Sequence, residues 1–490
     1  MFGSFQQKKY DTIVVGNAGL GCAMAYRLKS MDKSLKIAII GPAARKGSAT
    51  TTAGAMINVW AELSPGQFDN PALADRAELT ISSGKLWDDY CKELSAAASD
   101  DISIKWGTYV LENSQSSPHE RRTMDFMLKV LRERQIEHRI VNPEDIKFLK
   151  PEYRSETQRS VWVPDGRIDS RKVLEVYEKA FRNMGVDQID STVEGLLING
   201  SDRAVKLADG TVLKGKNIVL ANGSFAQALV DQVPEIRNAT PRLLWGAGSG
   251  VDLSFPNWIT RDGGGIERNI LDMDAVIRTT DRGGACGVHV VPYGNGQYYL
   301  GASSGVWFEP EHKARVHAID VLLRSAVQEI NYGFFFANME LRGPGFRPTT
   351  VDAFPLLGES HVPGIWFANG TKRDGFTCSP HIANELCAQM LGKRQSRLPE
   401  RFKPSRKVIS YKTREAALDD AVAGNIGGEY QHGLRLPPYA VDGYYKQKRA
   451  QYEAIYEKRN FSEFGIHPEV LHIYDNDTFF NAVDIPRELN

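Results

Sequence analysis

The stretch that most constrains this chain is Thr12–Leu28, TIVVGNAGLGCAMAYRL. An apolar run, Ile13-Val14-Val15, delivers Gly16 into a turn, and a small-residue segment with helical potential follows from Gly21 to about Lys29. A second apolar run, KIAIIG at Lys36–Gly41, completes a strand–helix–strand unit. The turn leaves the amino-terminal amides of the helix free, and with the helix dipole these attract a pyrophosphate. The slots of the G-x-G-x-x-G fingerprint for that task read Gly16, Ala18 and Gly21, a departure at the middle position, with Gly19 present but outside the frame. Gly16 serves the turn, Ala18 adds one methyl where backbone must approach phosphate, and Gly21 permits close helix–strand packing.

The end of the second strand should carry an acidic residue for an adenosine ribose. Gly41 stands there instead, followed by PAARKG. Arg45 and Lys46 either face a ribose phosphate, as in an NADP site, or are solvated loop charges. This stretch alone therefore does not separate a flavin site from an NADP site. Lack of the carboxylate predicts weak cofactor retention, and Gly41→Glu is expected to tighten it.

Composition excludes other classes. The 490 residues carry 60 basic and 60 acidic side chains, so no global charge points to nucleic acid or an anionic membrane surface. No apolar run reaches membrane-spanning length, and no signal-like start is evident. The five cysteines, Cys22, Cys91, Cys286, Cys378 and Cys387, include no C-x-x-C pair, which predicts reduced thiols, a cytoplasmic location and no metal site.

The remaining pattern is α/β with an antiparallel part. A helix is predicted from Asp169, with Val173, Leu174, Tyr177, Ala180 and Phe181 on one face and Asp169 or Ser170 as N-cap. AVKLADGTVLKGKNIVLANGSF reads as a strand, an Asp-Gly turn, a second strand and a buried third strand ending in a small-residue turn. GVHVVPYGNGQYYLGAS, Gly287–Ser303, is a hairpin about an Asn-Gly turn. After about Pro399 the chain becomes charged and tyrosine-rich. Tyr445, Tyr452 and Tyr456 share roughly one helical face there, which predicts a segment packing on its own subunit or on a twin and restricting access to the substrate pocket.

From Gly343 the sequence reads GPGFRPTTVDAFPLLGESHVPGIWFANGTKRDGFTCSPHIANELCAQML. Its F-R-P step at Phe346–Pro348, D-x-x-P-x-x-G at Asp352–Gly358 and glycine-rich turn from Gly370 to Pro380 resemble the FAD-dependent D-amino acid oxidase superfamily, closest to its glycine oxidase branch. GSATTTAGAM at Gly47–Met56, VLANGSF at Val219–Phe225, and the V-V-P and G-A-S steps after His289 and at Gly301 resemble the same family in order and spacing, over roughly residues 10 to 395. Ser379 as N-cap with Pro380 at the first helical position predicts a helix starting there, its amino end aimed at the flavin and Gly375 allowing close approach.

The resemblance implies noncovalent FAD, held by Gly16, Ala18, Gly19, Gly21, Gly41, Thr51, Thr52, Gly54, Met56, Val193, Ala221, Gly223, Arg373, Asp374, Gly375, Phe376 and Thr377, with no thioether to Cys378. It implies that Arg347 clamps the substrate carboxylate through paired hydrogen bonds. Arg373 either supports that carboxylate or fixes its loop. His289 stands where glycine oxidases place a tyrosine; it either bonds the substrate, acts as a base near neutral pH, or is a satisfied hairpin histidine. Met56 and Trp60 either line the ring pocket or simply pack.

The implied fold is a Rossmann-type FAD domain (1–105, 157–235, 342–400), an interleaved mixed, largely antiparallel substrate domain (106–156, 236–341) and a C-terminal extension (401–490). The implied reaction oxidises an amino acid or related amine by hydride transfer to flavin N5, giving an imine, with oxygen reoxidising the flavin to yield peroxide. The alternatives are a dehydrogenase of the same fold that passes electrons to a quinone or protein, and a non-catalytic flavoprotein subunit docked through the extension. On the first reading the expected partners are the amine or amino acid substrate, oxygen and, through the extension, a second copy of the chain, with no nucleic acid and no membrane.

Overall fold

The computed structural model describes residues 9–255, 273–282 and 287–482; Cys286 lies outside them. The chain passes back and forth between two sheets. β1 (Lys9–Val15) and β2 (Ile37–Ile40) pair in parallel, with the Gly19–Met31 helix between them. β3 (Met56–Ile57), β4 (Lys105–Asn113), β5 (Arg139–Val141) and β6 (Thr157–Arg167) belong to the second sheet. The Ser170–Met184 helix, capped by the Asp169 carboxylate accepting the Arg171 and Lys172 amides, leads back to β7 (Asp187–Ile189), β8 (Val193–Asn199), β9 (Asp202–Leu207) and β10 (Val212–Leu220). The second sheet resumes with β11 (Leu243–Ser254), β12 (Val276–Thr279), β13 (His289–Gly294), β14 (Gln297–Gly301), β15 (Gly305–Trp307) and β16 (Asn338–Thr350). β17 (Leu356–Glu359), β18 (Ile365–Asn369) and the Gly375–Met390 helix close the first sheet.

In the first sheet the order is β17-β18-β10-β1-β2-β7, with β9 on β10 and β8 on β9. β1 sits between β10 and β2, parallel to both, so Ile13, Val14 and Val15 are buried on both faces. The second sheet is mostly antiparallel, with one parallel pair, β4 and β12.

Three local expectations are corrected. The predicted second and third strands after the Asp-Gly turn are one strand, β10, because Val212–Lys214 pair with β9 while the rest of the strand runs along β1. Residues 157–167 and the start of the 342–400 segment lie in the second sheet: β6 pairs antiparallel along the length of β4, and β16 along β11, so the chain crosses sheets after Arg167 and after Thr350. The helix expected to begin at Ser379 begins at Gly375, with Pro380 inside it. The carbonyl of Phe376, which loses its amide donor at Pro380, instead accepts the Ser379 hydroxyl at 2.8 Å.

The hairpin is as expected: β13 and β14 are joined through Asn295 and Gly296, both at positive φ. The extension folds into the Arg414–Gln431 and Pro438–Arg459 helices and a short tail. It packs on its own chain. Tyr456, Phe461, Phe464, Ile466, Val470 and Tyr474 form a core with Leu244 of β11, Val306 of β15 and Val351. Tyr456 is fully buried and accepts the Ile466 amide at 2.9 Å, and Tyr452 packs against the same core. Tyr445 lies instead on a cavity of about 430 Å³ with His119, Arg122 and Arg449. None of the long helices is apolar enough to cross a membrane among the described residues.

The glycine turn gives a prediction of sign. Within a helix, Gly→Ala ordinarily stabilises by roughly 1 kcal/mol. At Gly21 an added Cβ would lie 1.9 Å from the Gly16 carbonyl oxygen, whereas at Gly428 in the extension nothing lies within 4 Å. Gly21→Ala should therefore destabilise by about 1–3 kcal/mol, as overpacking does, while Gly428→Ala stabilises. Thermal or urea unfolding of the two variants measures this; the same sign for both would contradict it.

Candidate active site

A cavity of about 540 Å³ opens along the carboxyl ends of β1, β2 and β10 and runs to the start of the Gly375–Met390 helix. Gly16, Asn17, Ala18, Gly41, Val193, Ala221 and Gly223 line one end, and Arg373, Gly375 and Phe376 the other. Its walls fit an anionic dinucleotide. The Gly19–Met31 helix starts at Ala18 with no side-chain cap, and the Gly375–Met390 helix starts at Asp374 with none, so both present opening amides and a positive dipole end. A Cβ at Gly16 would lie 2.5 Å from the Ala221 carbonyl oxygen, so the turn requires glycine on packing grounds as well as for its φ of +112°. Gly19, outside the fingerprint frame, has its own reason: a Cβ there would meet the Phe376 ring at 3.0 Å, and its amide donates to Thr50 Oγ1 at 3.2 Å.

Several expected residues have other roles. A Cβ at Gly41 would fall 2.4 Å from Asn17 Oδ1, and Asn17 Nδ2 donates to the Pro42 carbonyl at 3.1 Å. A side chain at position 41 therefore requires the Asn17 amide to shift. Arg45 is no free loop charge: it donates to the Asn17 carbonyl at 2.9 Å and pairs with Glu178 at 2.5 Å, while Lys46 lies on the cavity wall. The Thr51 hydroxyl turns back to the Ser48 carbonyl at 3.1 Å and is absent from both cavity walls; Ser48, Ala49 and Thr50 line the larger one instead. Trp60 is core: it packs with Leu128 and Val163, and its amide donates to the buried Asp165 carboxylate. Cys378 is fully buried, and burial pushes its thiol up to about 12.

A smaller cavity of about 100 Å³ adjoins the first. Thr52, Gly54, Met56, His289, Tyr299, Arg347, Asp374 and Thr377 are on its walls. β16 brings Arg347 to both cavities. Its guanidinium donates to the Ser303 carbonyl at 3.0 Å and approaches the Ser304 hydroxyl at 3.4 Å, and no carboxylate pairs with it among the described residues. It lies over Gly248, where a Cβ would come within 2.2 Å of Nη2. Arg347 is thus a partly exposed cation held on neutral acceptors, as an anion-binding residue requires.

The β13 end brings His289 to the same cavity at 8% exposure, its ring 5.8 Å from that of Tyr299. Nδ1 lies 3.1 Å from the Gly287 carbonyl, which fixes the proton on Nδ1 and leaves Nε2 an acceptor. Burial, then the nearby Arg278 guanidinium, lower its pKa to about 4. His289 is therefore a neutral acceptor at pH 7, not a base poised near neutrality.

Behind it runs a chain of buried charge that the sequence did not reveal. Glu62 accepts from Arg278 at 2.7 Å and from Arg373 at 3.3 Å. Burial opposes its charge, but Arg278 and Arg373 prevail and hold its carboxyl at about 2. Arg373 also pairs with Glu469 of the extension, as does Lys372 at 2.6 Å. Of the two roles open to Arg373, the geometry favours fixing the loop. The alternation Arg278–Glu62–Arg373–Glu469 joins β12, the loop after β3, the loop before the last helix of the first sheet, and the extension. Neither Glu62 nor Glu469 stands in any local pattern; only the fold brings them together. Asp374 pairs with Arg76 at 2.7 Å.

A parallel sheet ending in a glycine turn without a side-chain cap, with a second such helix start at the far end of one cavity, is the arrangement of a dinucleotide-binding site. Residues 11–389 match the family described as DAO, FAD dependent oxidoreductase, and the chain belongs to that family; FAD is its cofactor. The chain is 24% identical over 412 residues to glycine oxidase from Bacillus licheniformis, covering 82% of this chain and 98% of that protein. It is 22% identical over 403 residues to the bifunctional protein ThiO/ThiG of Synechocystis, covering 82% of this chain and 54% of that protein, so it spans about half the length of that relative. The crystal structure of glycine oxidase from Geobacillus kaustophilus superposes with a TM-score of 0.65 at 18% identity, covering 82% of this chain and all of that one.

The His289 pKa predicts a pH dependence. Its unfolded value is 6.5 and its folded value about 4, so between these the unfolded state binds more protons and stability falls as pH falls. His289→Phe, which keeps the aromatic contact with Tyr299, should remove about 2–3 kcal/mol of the stability otherwise lost between pH 7 and pH 4. Denaturant unfolding across that range tests it; an unchanged acid slope would remove His289 from the account.

Proposed function

We propose that this protein oxidises a small amino acid or related amine bearing a carboxylate, with Arg347 as the carboxylate clamp and the small cavity as the substrate site. The observation that carries the reading is Arg347 itself: a guanidinium on the wall shared by both cavities, held by neutral acceptors and without a carboxylate partner among the described residues. Bound FAD would supply the two-electron step, taking a hydride from the carbon that carries the amine and returning to its oxidised form by giving peroxide with oxygen.

The protein's part is orientation and charge. Arg347 would fix the carboxylate through two parallel hydrogen bonds and so aim the adjacent carbon toward the larger cavity. His289 Nε2, neutral at pH 7, would accept a hydrogen bond from the amine and orient it. The opening amides of the Gly375–Met390 helix would stabilise negative charge developing beside them. A cavity of about 100 Å³ favours a small side chain or none. Glycine oxidase among the relatives supports the same substrate class.

An anaerobic screen of amino acids and amines, watching the flavin absorbance bleach, tests the reading, and peroxide release in air then separates an oxidase from a dehydrogenase. Arg347→Ala should retain FAD and lose about two to three decades in kcat/KM for carboxylated amines, with poor rescue by Arg347→Lys. Unchanged kinetics would remove Arg347 from the site. Bleaching by no amine would sink the catalytic reading.

A further inference from the structure

We propose that Glu469, carried by the C-terminal extension, is a positioning residue for the substrate cavity: it clamps Lys372 and Arg373 and so fixes the loop that separates the cofactor cavity from the substrate cavity. The substrate part of this inference rests on the reading above. The clamp itself rests on geometry alone.

The loop 370–374 needs an external hold. Lys372 is in the left-handed region at φ +54°, which a side chain other than glycine adopts reluctantly. Its side chain is 4% exposed, and burial lowers its ammonium to about 8. Two adjacent cations, Lys372 and Arg373, would repel each other there. Glu469 is 7% exposed and pairs with both, at 2.6 Å for Lys372 Nζ. It is itself set by the Pro468–Val470 turn, where the His467 ring accepts its amide at 3.2 Å. The turn is fastened by the apolar core of the extension, in which Val470 and Tyr474 pack on Leu244 and Val306.

From Glu469 the constraint passes to the site by two routes. Arg373 continues to Glu62, and Glu62 to Arg278 behind His289. The Lys372 amide donates to the Pro348 carbonyl at 2.8 Å, beside Arg347. Glu469 Oε2 has no hydrogen-bond partner among the described residues and borders a cavity of about 120 Å³ shared with Glu62 and Arg373. The family match ends at residue 389, so this clamp comes from a part of the chain outside it.

The test uses full-length, FAD-loaded protein and the variants Glu469→Gln and Glu469→Asp, with Arg449→Ala, which breaks exposed ion pairs elsewhere in the extension, as control. Amide hydrogen exchange of residues 370–376 reads the loop. Acetate titration of the oxidised flavoprotein, followed by flavin absorbance, reads the cavity. Glu469→Gln should speed exchange in this segment and weaken acetate binding, each by about tenfold or more. Glu469→Asp, which keeps the charge at shorter reach, should fall between, and Arg449→Ala should match the wild type. Wild-type exchange in both Glu469 variants would overturn the clamp. Altered exchange with unaltered acetate affinity would overturn its link to the cavity. If wild-type protein binds no acetate, the functional reading fails, and hydrogen exchange still decides the clamp.

Discussion

The close approach of backbone at Gly16 governs this molecule. β1 ends against β10, with Gly16 over the Ala221 carbonyl and Gly21 over the Gly16 carbonyl, at distances that exclude any side chain. That contact sets the helix start directly beyond the strand, with no side-chain cap from Ala18 and the Gly19 amide taken by Thr50. It also creates the cavity between the carboxyl ends of β1, β2 and β10, the place where an open parallel sheet binds its ligand. Everything downstream is added around it: β18 widens the sheet, and the Gly375–Met390 helix brings a second uncapped start to the far end of the same cavity.

The second sheet contributes the walls of the smaller cavity. β13 and β16 carry His289 and Arg347 to one small cavity, and the glycines opposite, notably Gly248, let the guanidinium lie flat against backbone. The charge arrangement there is selective. Glu62 is shared by Arg278 and Arg373, and Glu469 by Arg373 and Lys372, while Arg347 keeps only neutral acceptors. Arg278, Arg373 and Lys372, paired with Glu62 and Glu469, hold geometry; Arg347, on carbonyl and hydroxyl acceptors, can receive an anion. The extension takes part in the first group and docks on the same chain through Tyr456 and Tyr474.

Much of this was legible in the sequence, and the failures have physical causes. The glycine turn, the Asp169-capped helix, the Asn-Gly hairpin and the family motifs around Arg347 are local patterns. Each is written in consecutive residues. The Gly375–Met390 helix begins a turn before the Ser-Pro step that signals its start in the sequence, and the Ser379 hydroxyl meets the Phe376 carbonyl that Pro380 leaves without an amide donor. The sheet to which β6 belongs is decided by its pairing with β4, which lies far off in sequence. The position of Asn17 against Gly41, across the turn, is set by the fold and not by any local pattern. Glu62, Arg278 and Glu469 carry no motif at all, since their meaning is their meeting.

The most direct test is an experimental structure of the oxidised protein with a carboxylate such as acetate bound. The account predicts FAD along the Gly16–Ala221 cavity, with the carboxylate on Arg347 in the cavity shared with His289, and Arg373 still engaged by Glu62 and Glu469. A carboxylate bound by Arg373 with Arg347 left aside, or FAD lying elsewhere, would contradict it.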